Sequence, residues 1–129
     1  MTSRISHTTV NALNAYDQSV WWSKVLGWTE IPDDPNEPSH EECMITDPDG
    51  PGQLLFIDVP DAKQLRNRIH LDLRPTDRTR DEEVERLLGL GATLVDDQRQ
   101  PDGGWAVLAD PEGNEFCILR SDVERAAAR

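Results

Sequence analysis

Asp47-Pro48-Asp49-Gly50 and Asp110-Pro111-Glu112-Gly113 are one four-residue pattern written twice, 63 residues apart. Asp at the first position, Pro at the second and Gly at the fourth are the preferences of a type I turn. Two further landmarks keep the spacing. His7 recurs as His70 at an offset of 63, and Leu26-Gly27 recurs as Leu90-Gly91 at an offset of 64. The Leu-Gly pairs read as helix stops, because Gly takes the left-handed conformation at low cost. A period above about 50 that occurs only twice indicates a duplicated module rather than a solenoid. A pseudo-twofold relation between the copies would direct His7 and His70 to one shared surface.

Outward from the turns, each copy reads strand, helix, strand, strand, strand. In the first copy the strands fall at residues 5–11, 28–31, 41–46 and 53–58. Its helix starts at Asn14, a capping residue with Asp17 in the reciprocal place, and it pairs Trp21 with Val25 and Trp22 with Leu26 at i,i+4 spacing. In the second copy the strands fall at 68–74, 92–95, 104–109 and 114–119. Thr79 and Glu82 make a capping box, and Val84, Leu87, Leu88 and Gly91 share a helical face. Residues 124–129 read as a frayed charged tail. The expected fold is α+β: two tandem βαβββ modules, about 1–59 and about 66–120, forming a curved sheet around a cleft within a single domain, 1–129.

Size and charge narrow the function. A chain of 129 residues can bury roughly two thirds of its unfolded surface, whereas a module of half that length is marginal alone, so a shared core is expected. A net charge of -12 argues against a phosphate backbone as partner, since nucleic-acid binding needs clustered Lys and Arg. Cys43 and Cys117 have no close spacing; they leave room for one disulfide, with reduced thiols the favoured reading. No apolar run serves as a signal peptide or a membrane span, so the expectation is a cytoplasmic protein without a membrane partner.

Strand alternation sorts the chemistry-bearing residues. His7, Thr9 and Asn11 share a face of the first strand. Their counterparts His70, Asp72 and Arg74 share the equivalent face of the second copy, with Ile69, Leu71 and Leu73 behind them beneath the helix. Glu115 and Cys117 join the histidine face if Phe116 and Ile118 pack beneath the helix. In the first copy Leu54, Phe56 and Asp58 take the corresponding places, allowing for a shift at the turn. A face carrying this many polar groups is not a plain core face, because each buried polar group needs a partner. A ligand cleft is the economical reading. Of the four Trp, adjacent Trp21 and Trp22 can place at most one ring fully in the core, whereas Trp105 offers an aromatic wall for a planar or cationic ligand.

The sequence resembles the vicinal oxygen chelate superfamily of glyoxalase, bleomycin-resistance and ring-cleaving dioxygenase proteins. The resemblance rests on Arg68-Ile69-His70-Leu71-Asp72-Leu73, on Leu90-Gly91-Ala92, on Asp110-Pro111-Glu112-Gly113-Asn114-Glu115-Phe116, and on Trp21-Trp22-Ser23-Lys24-Val25-Leu26-Gly27. Within the superfamily the chain is most similar to bacterial glyoxalase-like domains. The resemblance implies two βαβββ modules enclosing a cleft. In metal-dependent members it implies a divalent ion held by a first-strand residue and a last-strand carboxylate or amide of each module. His7 and His70 match the first-strand positions. The last-strand positions depart from the pattern, with Cys117 in one and, by the repeat offset, Leu54 in the other.

Two functions follow. The first is a small-molecule-binding protein without a complete metal site, as in the antibiotic-sequestering relatives. Its ligand would contact His7, Asn11, Phe56, His70, Asp72, Arg74, Trp105 and Cys117, with Arg74 as a two-pronged anchor for a carboxylate or carbonyl. No cofactor is favoured on this reading, and a homodimer is compatible with it. The second is a lyase, isomerase or dioxygenase dependent on a divalent metal held by His7, His70 and Glu115, with Asp58 or Cys117 as substitutes. Two His and a carboxylate suffice for non-haem iron, and Cys suits zinc.

Overall fold

The computed structural model describes residues 2–127 and divides into two compact units, residues 1–62 and 63–129. It is a mixed α+β structure with one three-stranded and one four-stranded sheet.

In the first unit β1 (Thr8–Ala12) leads into α1 (Ala15–Leu26), then β2 (Glu42–Thr46) and β3 (Gln53–Asp58). The sheet order is β1-β3-β2, with β1 parallel and β2 antiparallel to β3. The Asn14 side chain accepts the Asp17 N–H, and Gly27 closes α1 at φ 69° with its N–H on the Ser23 carbonyl. α1 packs on β2 and β3 through an apolar layer containing Ala12, Val25, Cys43, Ile45, Leu54 and Phe56. Two expectations need correction here. The strand at 28–31 is reduced to isolated bridges, Thr29 with Thr46 and Ile31 with Asp34. Trp21 and Trp22 are both buried, at 8% and 4% exposure, because their rings meet edge to face with centroids 5.2 Å apart.

The second unit runs β4 (Asp72–Leu73), α2 (Arg80–Gly89), β5 (Thr93–Gln100), β6 (Gly103–Ala109), β7 (Glu115–Leu119) and α3 (Asp122–Ala127). Its sheet order is β4-β7-β6-β5. The Thr79–Glu82 capping box forms in full. Val84 and Leu87 of α2 are wholly buried, as are Ala106, Leu108 and Ile118 of the sheet. The strand expected at 68–74 shrinks to Asp72–Leu73, and Ile69, expected beneath the helix, is 85% exposed. The expected tail is instead helical through Ala127, with the Glu124 carboxylate accepting the backbone N–H of Arg80 and Ser121. Residues 128 and 129 of that expected tail lie outside the described part of the chain.

The two copies differ by one residue in the turn before their last strands. From Gly50 to Gln53 the chain takes three steps, but from Gly113 to Glu115 it takes two. The His7/His70 offset matches Thr9 with Asp72, and these pair with Leu55 and Cys117 respectively. Leu55, not Leu54, is therefore the counterpart of Cys117. A one-residue slip exchanges the faces of a strand. Leu54 and Phe56 accordingly belong to the layer under α1, and Phe56 is 0% exposed. It is a core residue, not the ligand contact expected from the repeat offset.

Candidate functional site

The open face of the second-unit sheet is built in rows. Asp72 pairs with Cys117, Cys117 with Val107, and Val107 with Asp96. The neighbouring row runs Leu119, Trp105, Gln98. These residues, with Arg66, Asn67, His70 and Glu115, line a cavity of about 460 Å3. Alternation explains the set. The cavity takes Glu115, Cys117 and Leu119 from β7, while Phe116 and Ile118 turn into the core. From β6 it takes Trp105 and Val107, while Ala106 and Leu108 turn away. A bulge between Leu94 and Asp96 resets β5 so that Asp96 and Gln98 face the cavity.

His70 stands just before β4, two residues from Asp72 and on the same side. The Cys117 N–H donates to the Leu71 carbonyl at 2.9 Å, which extends the ladder past the end of β4. The His70 Nε2 lies 3.2 Å from the Asp72 Oδ1. Burial pushes the Cys117 thiol up, and the facing Asp72 charge and its hydrogen bond with the thiol raise it further, to about 11. One donor atom each from His70, Asp72 and Cys117 lies within 4.8 Å of the others, so these three residues could hold a metal ion.

Glu115 is committed elsewhere. Its Oε1 accepts from Lys63 Nζ at 2.9 Å, its Oε2 from the Asn67 N–H at 3.0 Å, and its backbone carbonyl from Asn67 Nδ2 at 3.1 Å. Burial by itself would raise its carboxyl, but the Lys63 ammonium and the Asn67 N–H outweigh it and hold the group below the usual range. Glu115 thus ties residues 63–67 along the rim of the cavity.

Of the residues expected from the sequence, His70, Asp72, Trp105, Glu115 and Cys117 line the cavity. Arg74 is not among the lining residues and donates to the Arg120 carbonyl at 2.6 Å. In the first unit, His7 is exposed before β1 with Ser6 Oγ 3.0 Å from its Nδ1, and Asn11 is exposed on β1. The Asp58 carboxylate accepts the Ala15 N–H at 2.7 Å, at the start of α1. Sequence reasoning missed Arg66, Asn67, Asp96 and Gln98. The first two lie in what reads as a linker. The last two lie on a strand expected to end at residue 95, beyond a bulge that periodicity does not reveal.

The family model described as glyoxalase-like domain matches residues 7–119. The chain belongs to this glyoxalase-like domain family. It has the fold of the vicinal oxygen chelate superfamily, as comparison with solved structures shows. It is similar to the fosfomycin resistance protein FosX from Mesorhizobium loti, at 17% identity over 100% of both chains with a TM-score of 0.69. It is similar to a glyoxalase/bleomycin resistance protein/dioxygenase family enzyme from Burkholderia phytofirmans PsJN, at 20% identity over 88% of this chain and 95% of that one, TM-score 0.67. A FosX variant from Listeria monocytogenes, complexed with Mn(II) and 1S,2S-dihydroxypropylphosphonic acid, matches at 19% identity over 97% of this chain and 96% of that one, TM-score 0.71. No curated protein sequence matches the chain at a significant level. Among the described residues, no helix is long and apolar enough to cross a membrane.

Proposed function

We propose that this glyoxalase-like protein binds a small organic molecule on the open face of its second-unit sheet. The observation that carries the reading is Trp105. It is 44% exposed although it sits on an inner strand, and it faces a cavity within the roughly 300–1,000 Å3 range of small-molecule sites. Val107 and Leu119 continue the apolar wall. Arg66 and His70 supply donors at the rim, and Asn67, Asp72, Asp96 and Gln98 supply acceptors. That balance suits a planar ligand carrying both polar types, stacked on the indole. Two free, buried cysteines are in keeping with a reducing, cytoplasmic setting, which belongs to the same proposal. So does a homodimer, for which the edge strands of each sheet offer backbone hydrogen-bonding groups.

The second reading, a metal-dependent lyase, isomerase or dioxygenase, draws on the Mn(II) of a structural neighbour and on the His70, Asp72 and Cys117 group. These donors do not suit manganese. Mn(II) favours carboxylate, carbonyl and water oxygens, and a thiol in a three-donor set runs against that preference.

A screen of aromatic and heteroaromatic compounds by thermal shift tests the binding reading. Hits should lose most of their affinity in Trp105→Ala, roughly the 1 kcal/mol or more of an aromatic contact and its buried area. The half-exposed position should leave folding intact. Hits insensitive to Trp105→Ala and to Asn67→Ala would refute the site.

A further inference from the structure

Three carboxylates line the cavity, and two of them are already engaged. Glu115 is held by the Lys63 ammonium and the Asn67 N–H. Asp72 faces the His70 ring at 3.2 Å and hydrogen-bonds with the Cys117 thiol. Asp96 differs. Its Oδ2 accepts from Gln98 Nε2 at 2.9 Å, an uncharged partner, and among the described residues no Lys, Arg or His forms an ion pair with it. Asp97, the next residue of β5 and on its other face, is instead met by Arg99 at 2.8 Å. Asp96 and Gln98 thus each keep an oxygen without a donor, Oδ1 of the one and Oε1 of the other. Both stand beside Trp105. Gln98 pairs with it across the ladder, and Asp96 pairs with Val107, its neighbour on the same face of β6. We infer that this corner takes the head of a planar cation, an amidinium or a guanidinium-like N-heterocycle, stacked on the Trp105 indole and donating to Asp96 and Gln98.

The inference rests on the ligand-binding reading and gives its ligand a charge and an orientation. The quadrupole of an indole attracts a cation over the ring face, and Trp does this best of the aromatic residues. A planar forked cation meets both demands of the corner at once. Its plane lies along the indole while its edge N–H groups reach acceptor oxygens. A compact ammonium cannot stack in this way. An anion would meet a carboxylate that no cation neutralises. A neutral ring would cover part of the Asp96 charge without giving it a partner, which costs solvation. The fixed cation of the lining lies elsewhere. Arg66 precedes Asn67, which is fastened to Glu115 at the start of β7. β6 separates β7 from β5, which puts these strands about 10 Å apart at ordinary strand spacing. The cavity is therefore polarised, with donors on the β4–β7 side and acceptors on the β5 side. A ligand with a cationic fork at one end and a carbonyl-like acceptor at the other satisfies both. The net charge of -12 on the chain draws such a cation inward.

The experiment titrates the full chain calorimetrically, at low ionic strength, with 2-naphthamidine, 2-naphthamide and 2-naphthoate. These near-isosteric probes are cationic, neutral and anionic on one planar body. The amidinium should bind roughly tenfold or more tightly than the amide, the scale of a cation–π contact with a charge-assisted hydrogen bond. The naphthoate should bind weakest. Asp96→Asn should erase the preference for the amidinium and leave the amide's affinity in place. Asp97→Asn removes the same charge from the opposite face of β5, and the preference should survive it. Both aspartates are exposed, so neither substitution opens the core. Trp105→Ala should weaken all the probes that bind. Equal affinities for the three probes, all lost in Trp105→Ala, would overturn the cation inference and leave the ligand-binding reading standing. Amidinium binding indifferent to Trp105→Ala would overturn both. An amidinium that fails to bind, a preference for naphthoate, a preference that survives Asp96→Asn, or one lost equally in Asp97→Asn would each overturn the assignment of a cation to this corner.

Discussion

Glu115→Gln separates a fastening role for this carboxylate from a ligand role. The native oxygens accept from Lys63 Nζ and from the Asn67 N–H, so both are occupied by donors. Glutamine keeps one acceptor and turns the other into an NH2 group. Either Lys63 loses its partner or two N–H groups face each other. A hydrogen bond to a charged group contributes about 1.5–3 kcal/mol. The Glu115 and Lys63 side chains are 16% and 21% exposed, so this pair exceeds the roughly 0–1 kcal/mol of a surface ion pair. It also falls short of the 3–5 kcal/mol lost on breaking a fully buried one. The expected loss is about 2 kcal/mol, roughly a thirtyfold change in the equilibrium for releasing residues 63–67. Hydrogen exchange at the Asn67 amide reads that release locally and should accelerate by the same factor at pH 7. The sign with pH is fixed by the lowered carboxyl. Its contribution is present above the unfolded value of 4.5 and is lost as pH falls through the lower folded value. Native protein and variant should therefore converge in acid. Exchange at Asn67 changed less than about threefold, or a difference that persists once the carboxyl is protonated, would refute the fastening role. A chain that loses divalent-metal binding in Glu115→Gln at full stability would restore Glu115 as a ligand.

Periodicity and local chemistry made most of the architecture legible. The Asn14 and Thr79 caps, the Gly27 stop and the split of faces along β7 follow from side-chain spacing and from what each residue does to its own backbone. The errors share a different cause. The repeat offset puts Phe56 on the wrong face because it counts residues, while a strand face depends on their parity. The extra residue before β3 leaves the similarity visible and reverses the side chains. Asp96 and Gln98 stayed hidden for the same reason, since the bulge at Leu94 breaks the alternation that would have exposed them. Arg74 has the right chemistry for an anchor, but its side chain reaches the Arg120 carbonyl, a partner 46 residues away that spacing cannot foretell. Cys117 was legible as a departure from the superfamily pattern. What that departure means depends on Asp72 standing opposite it, which only strand register reveals.

Gly104→Ala should destabilise the second unit by about 3 kcal/mol or more, because φ is +77° there and a Cβ would collide with the Gln98 backbone carbonyl. Gly103→Ala, where a Cβ meets open space, should be close to neutral, and equal melting temperatures for the two variants would refute the account. The Cys117 thiol gives the remaining prediction, on metal-free protein in alkali. Its folded value of about 11 exceeds the ordinary thiol value of 9.0, so the unfolded chain gives up the proton first and stability is lost as pH rises between the two. Denaturation across that window should show a falling slope that is shallower in Cys117→Ser, the remainder coming from the Cys43 thiol, which burial also pushes up. An identical slope in both proteins would mean that the Cys117 thiol is not held buried beside Asp72 in solution, which would undo the site geometry.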